Sequence, residues 1–183
     1  TTDFWKNTII ENGDVSEIEG RHMVDYFGDK AVEYIQQLRK DDKPFFLQVS
    51  FDGPYMDPPT NMGPARNRHY AYYEHRTLSS FPGEAVSKNY IEQLVSFAKS
   101  NEDGSFLNRI IKMVIGNMVG DQATRANMAS QNTLVDDNVG RLLNALDQRG
   151  LDDNTIVIYS ADQGTYYGQQ GLWTHTVLSQ PST

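Results

Sequence analysis

Over residues 122–149, Met128, Val135, Val139, Leu142, Leu143 and Leu146 recur at helical spacing and predict one long amphipathic helix. Gly150 stands where a helix commonly ends on a residue of positive φ. Leu151-Asp152-Asp153-Asn154 makes a short connection, with the two aspartates turning the chain. Thr155-Ile156-Val157-Ile158-Tyr159-Ser160 follows and predicts a buried strand. A helix, a tight loop and an apolar strand in succession form half of a parallel crossover unit. Such a unit commits the chain to an α/β layer, because its strand must be paired on its edges and covered on its faces.

The N-terminal part supports the same class. Thr8-Ile9-Ile10, the turn signal Asn12-Gly13 and the return from Val15 to Ile18 predict a hairpin. From residue 23 to 38, Phe27, Ala31, Tyr34, Ile35 and Leu38 predict a helix, with Asp25 and Asp29 near its start where carboxylates suit the dipole. Asp41-Asp42-Lys43-Pro44 ends it, and the apolar run at residues 45–51 predicts a second buried parallel strand. Residues 52–82 are rich in Pro, Asn, Gly, Tyr and His, and a loop of that length in a compact domain is usually functional. Helices are expected over residues 86–99 and 106–118, separated by Asn101-Glu102-Asp103-Gly104. Residues 61–118 as a whole are expected to be an insertion of loop and helix.

Composition narrows the function. With 183 residues, 38% hydrophobic and 22% charged, the chain suits one soluble domain with a sizeable core. No apolar stretch reaches the length of a membrane span. A net charge of −8 argues against nucleic acid as the main partner, since phosphate backbones need a basic face. An anionic substrate must then be drawn in by local positive charge or a bound cation. There is no cysteine, which excludes disulfides and a thiolate zinc site. Both ends, Thr1-Thr2-Asp3-Phe4 and Gln180-Pro181-Ser182-Thr183, read as cuts through a longer domain, so compartment stays open.

The residues that point to chemistry follow the second strand: Ala161-Asp162-Gln163-Gly164. In open α/β sheets, ligands bind beyond the carboxyl ends of the strands. A carboxylate and an amide oxygen there suit a hard cation, while a plain turn cap by Asp162 is the structural alternative. Asp136 and Asp137 are adjacent on a helix and diverge, which suits a surface or helix-to-loop role. Tyr70, Tyr72 and Tyr73 could line a pocket, though packing of their own loop suits them better.

Taken together, Val135-Asp136-Asp137-Asn138-Val139-Gly140-Arg141-Leu142-Leu143, Gly150 to Ile158, Asp162-Gln163-Gly164 and Gly168-Gln169-Gln170-Gly171-Leu172-Trp173 resemble the sulfatase family of the alkaline-phosphatase superfamily. Lys43-Pro44-Phe45-Phe46-Leu47, Gly53-Pro54 and the helix from Tyr26 to Ile35 resemble the family's preceding helix, strand and exit loop. The resemblance is weakest between Asn61 and Met118.

What it implies is an alkaline-phosphatase-like α/β/α sandwich with a mainly parallel sheet, of which residues 1–183 are one part of a single catalytic domain. It also implies a divalent cation, usually calcium, and a formylglycine nucleophile made from Cys or Ser. The nucleophile and the first pair of metal ligands are expected N-terminal to Thr1, so the fragment would hold half the metal site and have no turnover alone. Asp162 and Gln163 match the second pair of ligands, with Gln where the family more often has Asn or His. His175 stands at the family's sulfate-contacting Lys, and Tyr55 at the His that assists the leaving group. His69 could fill that gap from the long loop and Arg68 could bind an anion bidentately, though surface roles suit both better. The implied partner is a small-molecule or glycan sulfate ester, in a periplasmic, secreted or lysosome-like compartment if the family's habit holds. The alternatives are a phosphoester or phosphonate hydrolase of the same superfamily, or an inactive domain that binds sulfated ligands.

Overall fold

The computed structural model describes residues 4–38, 43–54, 67–80, 92, 96, 122–162, 164, 166–167 and 173–174. The chain divides into two compact units, Thr1–Ala71 with Met128–Tyr159, and Tyr72–Asn127 with Ser160–Thr183.

The first unit opens with an antiparallel hairpin, β1 (Lys6–Glu11) and β2 (Asp14–Glu19). Asn12 and Gly13 both have positive φ, 54° and 94°, and close the hairpin as two central turn residues. Helix α1 (Met23–Gln37) follows at once. His22 caps it, with Nδ1 accepting the Val24 amide at 3.3 Å, and its ring stacks on Phe4 at 5.0 Å. Phe4 and Trp5 carbonyls accept the Met23 and Gly20 amides at 2.8 and 2.9 Å, fastening the hairpin to the start of α1. At the other end, Arg149 donates to the Leu38 carbonyl from Nε at 3.1 Å, a cation placed where the helix dipole is negative.

Short helix α2 (Tyr70–Tyr73) and long helix α3 (Gln122–Gln148) come next. Gly150 has φ 62°, its amide reaches the Asp147 carbonyl at 2.8 Å, and the Leu151 amide reaches Leu146 at 3.0 Å. These two bonds form the six-to-one and five-to-two closure of a Schellman end. Leu151 completes it by packing with Leu146, Ala145 and Ile35.

Helices α1 and α3 run in the same direction. Val24 packs with Leu134 and Val135, Gly28 lies against Asn138, and Ile35 packs with Ala145 and Leu146. The sequence offset between partners hardly changes along the contact, so the two helices keep register. Segment 46–53 crosses this pair in the opposite sense: Leu47 joins the cluster of Ile35 and Leu146, and Phe51 joins that of Val24 and Leu134. Its exposure alternates residue by residue, with Leu47, Val49, Phe51 and Gly53 half-buried and the residues between them exposed. That period of two is the pleat of a strand. The segment ends at a cis Gly53–Pro54 bond.

The second unit contains the hairpin of β3 (Tyr166–Tyr167) and β4 (Trp173–Thr174), paired Tyr166 to Thr174 and Tyr167 to Trp173. Tyr72 and Tyr73 meet edge to face at 4.9 Å, and the Arg76 guanidinium lies 3.8 Å over Tyr72. Gln122 Nε2 donates to the Tyr73 and Arg76 carbonyls at 3.2 and 2.7 Å.

Three expectations need correction or fall outside the described residues. Residues 45–51 and 155–160 are not hydrogen-bonded strands, and the sheets among the described residues are the two antiparallel hairpins. Ile156 and Ile158 are 89% and 84% exposed instead of buried. A strand is buried by its neighbours, and these two segments have no ladder partner among the described residues. On α3, the expected Met128, Val135 and Leu146 are buried and Val139 and Leu142 pack beside them, but Leu143 is exposed, and Gln131, Leu134 and Asn138 also belong to the packed face. The sequence pattern put Leu143 one residue off the apolar stripe, at about 100° of helix rotation. The helices expected at 86–99 and 106–118 lie outside the described residues except Glu92 and Ser96, both helical.

Candidate functional site

Four residues carry the expected chemistry, and the structure describes one of them. Asp162 lies just past residues 155–160, in a bend, with its side chain exposed. Among the described residues its carboxylate has no hydrogen-bond or ion-pair partner. An exposed, unpaired carboxylate after an apolar run is a suitable oxygen donor for a hard cation. No group of three or more His, Cys, Asp or Glu that could hold a metal occurs among the described residues. Gln163, Tyr55 and His175 lie outside them. In the chain, Asp162 precedes the β3–β4 hairpin and His175 follows directly after it. That hairpin is not expected from sequence, although Tyr166-Tyr167 before Gly168 and Trp173 after Gly171 carry its signal of aromatics flanking glycines.

The structure gives Arg68 and His69 a clear role. Arg68 donates to Asp25 Oδ2 at 2.6 Å and to Asp137 Oδ2 at 2.7 Å. His69 Nε2 is also 2.7 Å from Asp137 Oδ2. The loop before α2 is thereby pinned to both α1 and α3. Asn67 adds a donor to the buried Ser130 hydroxyl at 3.1 Å, and its Oδ1 accepts the His69 amide at 2.9 Å. Asp137 is thus a helix-to-loop anchor, while neighbouring Asp136 faces elsewhere. Asp136 lines a hollow of about 410 Å³ with Asn132, Thr133, Val139 and Tyr159.

The ion pairs continue along α1. Asn138, fully buried, donates to Asp25 Oδ1 at 2.9 Å and to the Leu134 carbonyl at 2.8 Å. Its own Oδ1 accepts from Arg141 at 2.8 Å, and Arg141 also pairs with Asp29, which Arg21 meets from the other side.

Partial burial pushes the Asp25 carboxyl up, but hydrogen bonds from Arg68 and Asn138 and the Arg68 charge outweigh it and hold it below the usual carboxylate range. Burial opposes, and Arg68 and His69 overcome, in the same way at Asp137. Both folded values lie below the unfolded one of about 3.9. Their contribution to stability is therefore complete above that value and is lost as pH falls through the folded values. An Arg68→Met variant is expected to be about 1 kcal/mol less stable at pH 7, the size of a partly exposed ion-pair network. The gap from the parent should narrow steadily below pH ~4. Urea melts across pH 2.5–7 check this, and a gap that stays constant would contradict it.

The sulfatase family model matches residues 2–179. An N-acetylglucosamine-6-O-sulfatase of Bacteroides thetaiotaomicron is 26% identical over 92% of this chain and 37% of its own length. An arylsulfatase of Chlamydomonas reinhardtii is 27% identical over 81% of this chain and 24% of its own. The crystal structure of yidJ from Bacteroides fragilis superposes with a TM-score of 0.56 at 23% identity, covering 90% of this chain and 30% of that one. That likeness gives the chain an alkaline-phosphatase-like α/β fold. The chain spans about a quarter to just over a third of the length of the curated relatives it matches.

Proposed function

Because the chain belongs to the sulfatase family, we propose that it supplies one side of a divalent-cation site in a sulfate-ester hydrolase. The observation that carries this reading is the Asp162 carboxylate just past residues 155–160, exposed and without a partner among the described residues. Asp162 and Gln163 would hold the cation, and calcium suits a carboxylate beside an amide oxygen. When bound, such an ion neutralises the negative charge of the ester group and polarises its sulfur–oxygen bonds.

The chain's other residues do the remaining work in this proposal. His175 donates a hydrogen bond to a sulfate oxygen, most strongly as the imidazolium, so the contact weakens as pH rises past the imidazole range. The Tyr55 phenol donates to the leaving oxygen, and phenols are in general poorer proton donors than imidazolium at neutral pH. The net charge of −8 leaves attraction of an anion to these local groups. Residues 1–183 form one part of a single α/β/α catalytic domain with a mainly parallel sheet, and residues 61–118 form an insertion within it. The formylglycine lies in polypeptide N-terminal to Thr1, so the 183-residue chain has no turnover alone. The name of the Bacteroides thetaiotaomicron relative suggests sulfated sugars as the substrate class.

The test uses the longer polypeptide that contains residues 1–183, assayed on an aryl sulfate and an aryl phosphate. Turnover of the sulfate is expected to fall by about 100-fold or more on chelation and to return with calcium. Faster turnover of the phosphate would make the protein a phosphoester hydrolase. Binding of sulfated ligand without turnover would make it a binding domain.

A further inference from the structure

His22 is a histidine used as a helix cap, and only the neutral ring can do that work. The ring is 2% exposed. Its Nδ1 accepts the Val24 amide at 3.3 Å, one of the donors that the first turn of α1 leaves without an intrahelical partner. A nitrogen that accepts carries no proton, so the neutral ring holds its proton on Nε2. The same ring joins two pieces of chain. It stacks on Phe4, with centroids 5.0 Å apart and planes 12° from parallel, and meets Trp5 edge-on at 5.2 Å. Phe4 and Trp5 are the residues whose carbonyls accept the Met23 and Gly20 amides, and they lead directly into β1. His22 thus stands at the joint between the β1–β2 hairpin and α1.

In acid, a second proton enters this ring at Nδ1. There it turns the acceptor into a donor facing the Val24 N–H, which removes the cap. The charge arrives at the positive end of the α1 dipole. It also lies out of water, against the apolar cluster of Phe4, Met23 and Trp5. The charged groups nearby do not offset this. Asp25 is near enough to feel an imidazolium, but both its oxygens are already bound, Oδ2 to Arg68 and Oδ1 to Asn138. Arg21, the preceding residue, is turned to Asp29. On the hairpin, Glu11 is paired with Lys30 and Glu19 with Lys6. Tyr26 brings a phenol to the cluster, and phenols carry no charge in acid.

We propose that His22 is a proton-operated latch: as the neutral imidazole it holds the hairpin to α1, and on gaining a proton in mild acid it lets the hairpin go. Released chain takes up that proton at the ordinary imidazole value of about 6.5. A closed form that binds no proton therefore loses about tenfold against the open form for each pH unit below that value. This window lies well above the acid range in which the Asp25 and Asp137 anchors fail. The latch goes beyond the hydrolase reading and does not depend on a metal at Asp162.

Amide hydrogen exchange on the longer polypeptide that contains residues 1–183 tests it, at about pH 7.5 and about pH 5, with rates corrected for intrinsic exchange. Amides over residues 6–27 are expected to lose protection by about tenfold or more at the lower pH, while those over 134–146 keep theirs. His22→Asn supplies a cap that does not titrate, so in that variant residues 6–27 should be equally protected at both pH values. Unchanged protection of residues 6–27 in the parent overturns the proposal. So does an equal loss in parent and variant, which would assign the acid response to another group. A measurement on the parent alone decides the matter where the variant does not fold. Nitrogen NMR with labelled histidine should show Nδ1 bare and Nε2 protonated on His22 at about pH 7.5, with Nδ1 gaining its proton as residues 6–27 open. A proton on Nδ1 at about pH 7.5, with the hairpin still in place, overturns the latch.

Discussion

Gly28→Val is expected to destabilise the protein by about 3 kcal/mol, the upper range for forcing atoms into a packed contact. A Cβ at position 28 would lie 2.0 Å from Asn138 Oδ1, 2.7 Å from its Cγ and 3.1 Å from its Cβ. The tip of an asparagine can usually turn aside, but here it is held. Its Nδ2 is bound to Asp25 and Leu134 and its Oδ1 to Arg141. Its Cβ is fixed by the helix itself. The clash must therefore separate α1 from α3 or break a buried polar group from its partners, and either is costly. Urea unfolding measures the loss. Adding Asn138→Ala should recover part of it, since the space opens, but leaves Asp25 without one donor. A double-mutant cycle should accordingly show coupling of about 1 kcal/mol or more. A Gly28→Val protein as stable as the parent would mean that the two helices are not in contact at this point.

Asp162→Ala in the longer polypeptide is expected to lower kcat/KM on an aryl sulfate by about 1,000-fold or more, equivalent to about 4 kcal/mol of transition-state stabilisation. Stability should move by no more than about 0.5 kcal/mol, because the side chain is exposed and unpaired among the described residues. This separation of activity from stability is the useful part of the measurement. If Asp162 only shaped a turn, activity and stability would fall together by modest amounts. Activity within a few-fold of the parent would remove Asp162 from the metal site.

The two outcomes depend on information of different kinds in the sequence. The hairpin is legible because Asn12-Gly13 demands a tight turn with positive φ at both positions, and local chemistry alone decides that. The end of α3 is legible for the same reason, through Gly150. Long-range pairing is not. Nothing in the order of residues shows that Arg68 and His69 meet Asp25 and Asp137, because the contacts join parts of the chain far apart in sequence. Apolar periodicity misplaces the packed face of α3 at Leu143 because the contact surface is partly polar, with Gln131 and Asn138 fully buried. A pattern of apolar residues cannot reveal a buried amide.

The strands fall between these cases. Residues 45–51 and 155–160 are β-prone and apolar in sequence, yet burial is a property of what surrounds a segment. Ile156 and Ile158 have the residue type of a core and the exposure of a surface. The candidate site is legible only through resemblance. Asp162 alone could be a turn residue, and it gains a chemical meaning from the ordered pattern around it and the family match over residues 2–179.

The chain of charges from Arg21 through Asp29, Arg141, Asn138, Asp25 and Arg68 to Asp137 acts like the teeth of a zip. Asp25 and Asp29 are one helical turn apart. Sliding α1 by that turn, about 5.4 Å, would bring Asp25 to the seat of Asp29, take from Asn138 its acid and leave Arg68 with Asp137 alone. A near-miss alignment of the two helices is thus penalised at several points together, while the apolar contacts beneath would tolerate it far better. The polar row selects a single mating position for surfaces that grease alone would let slip.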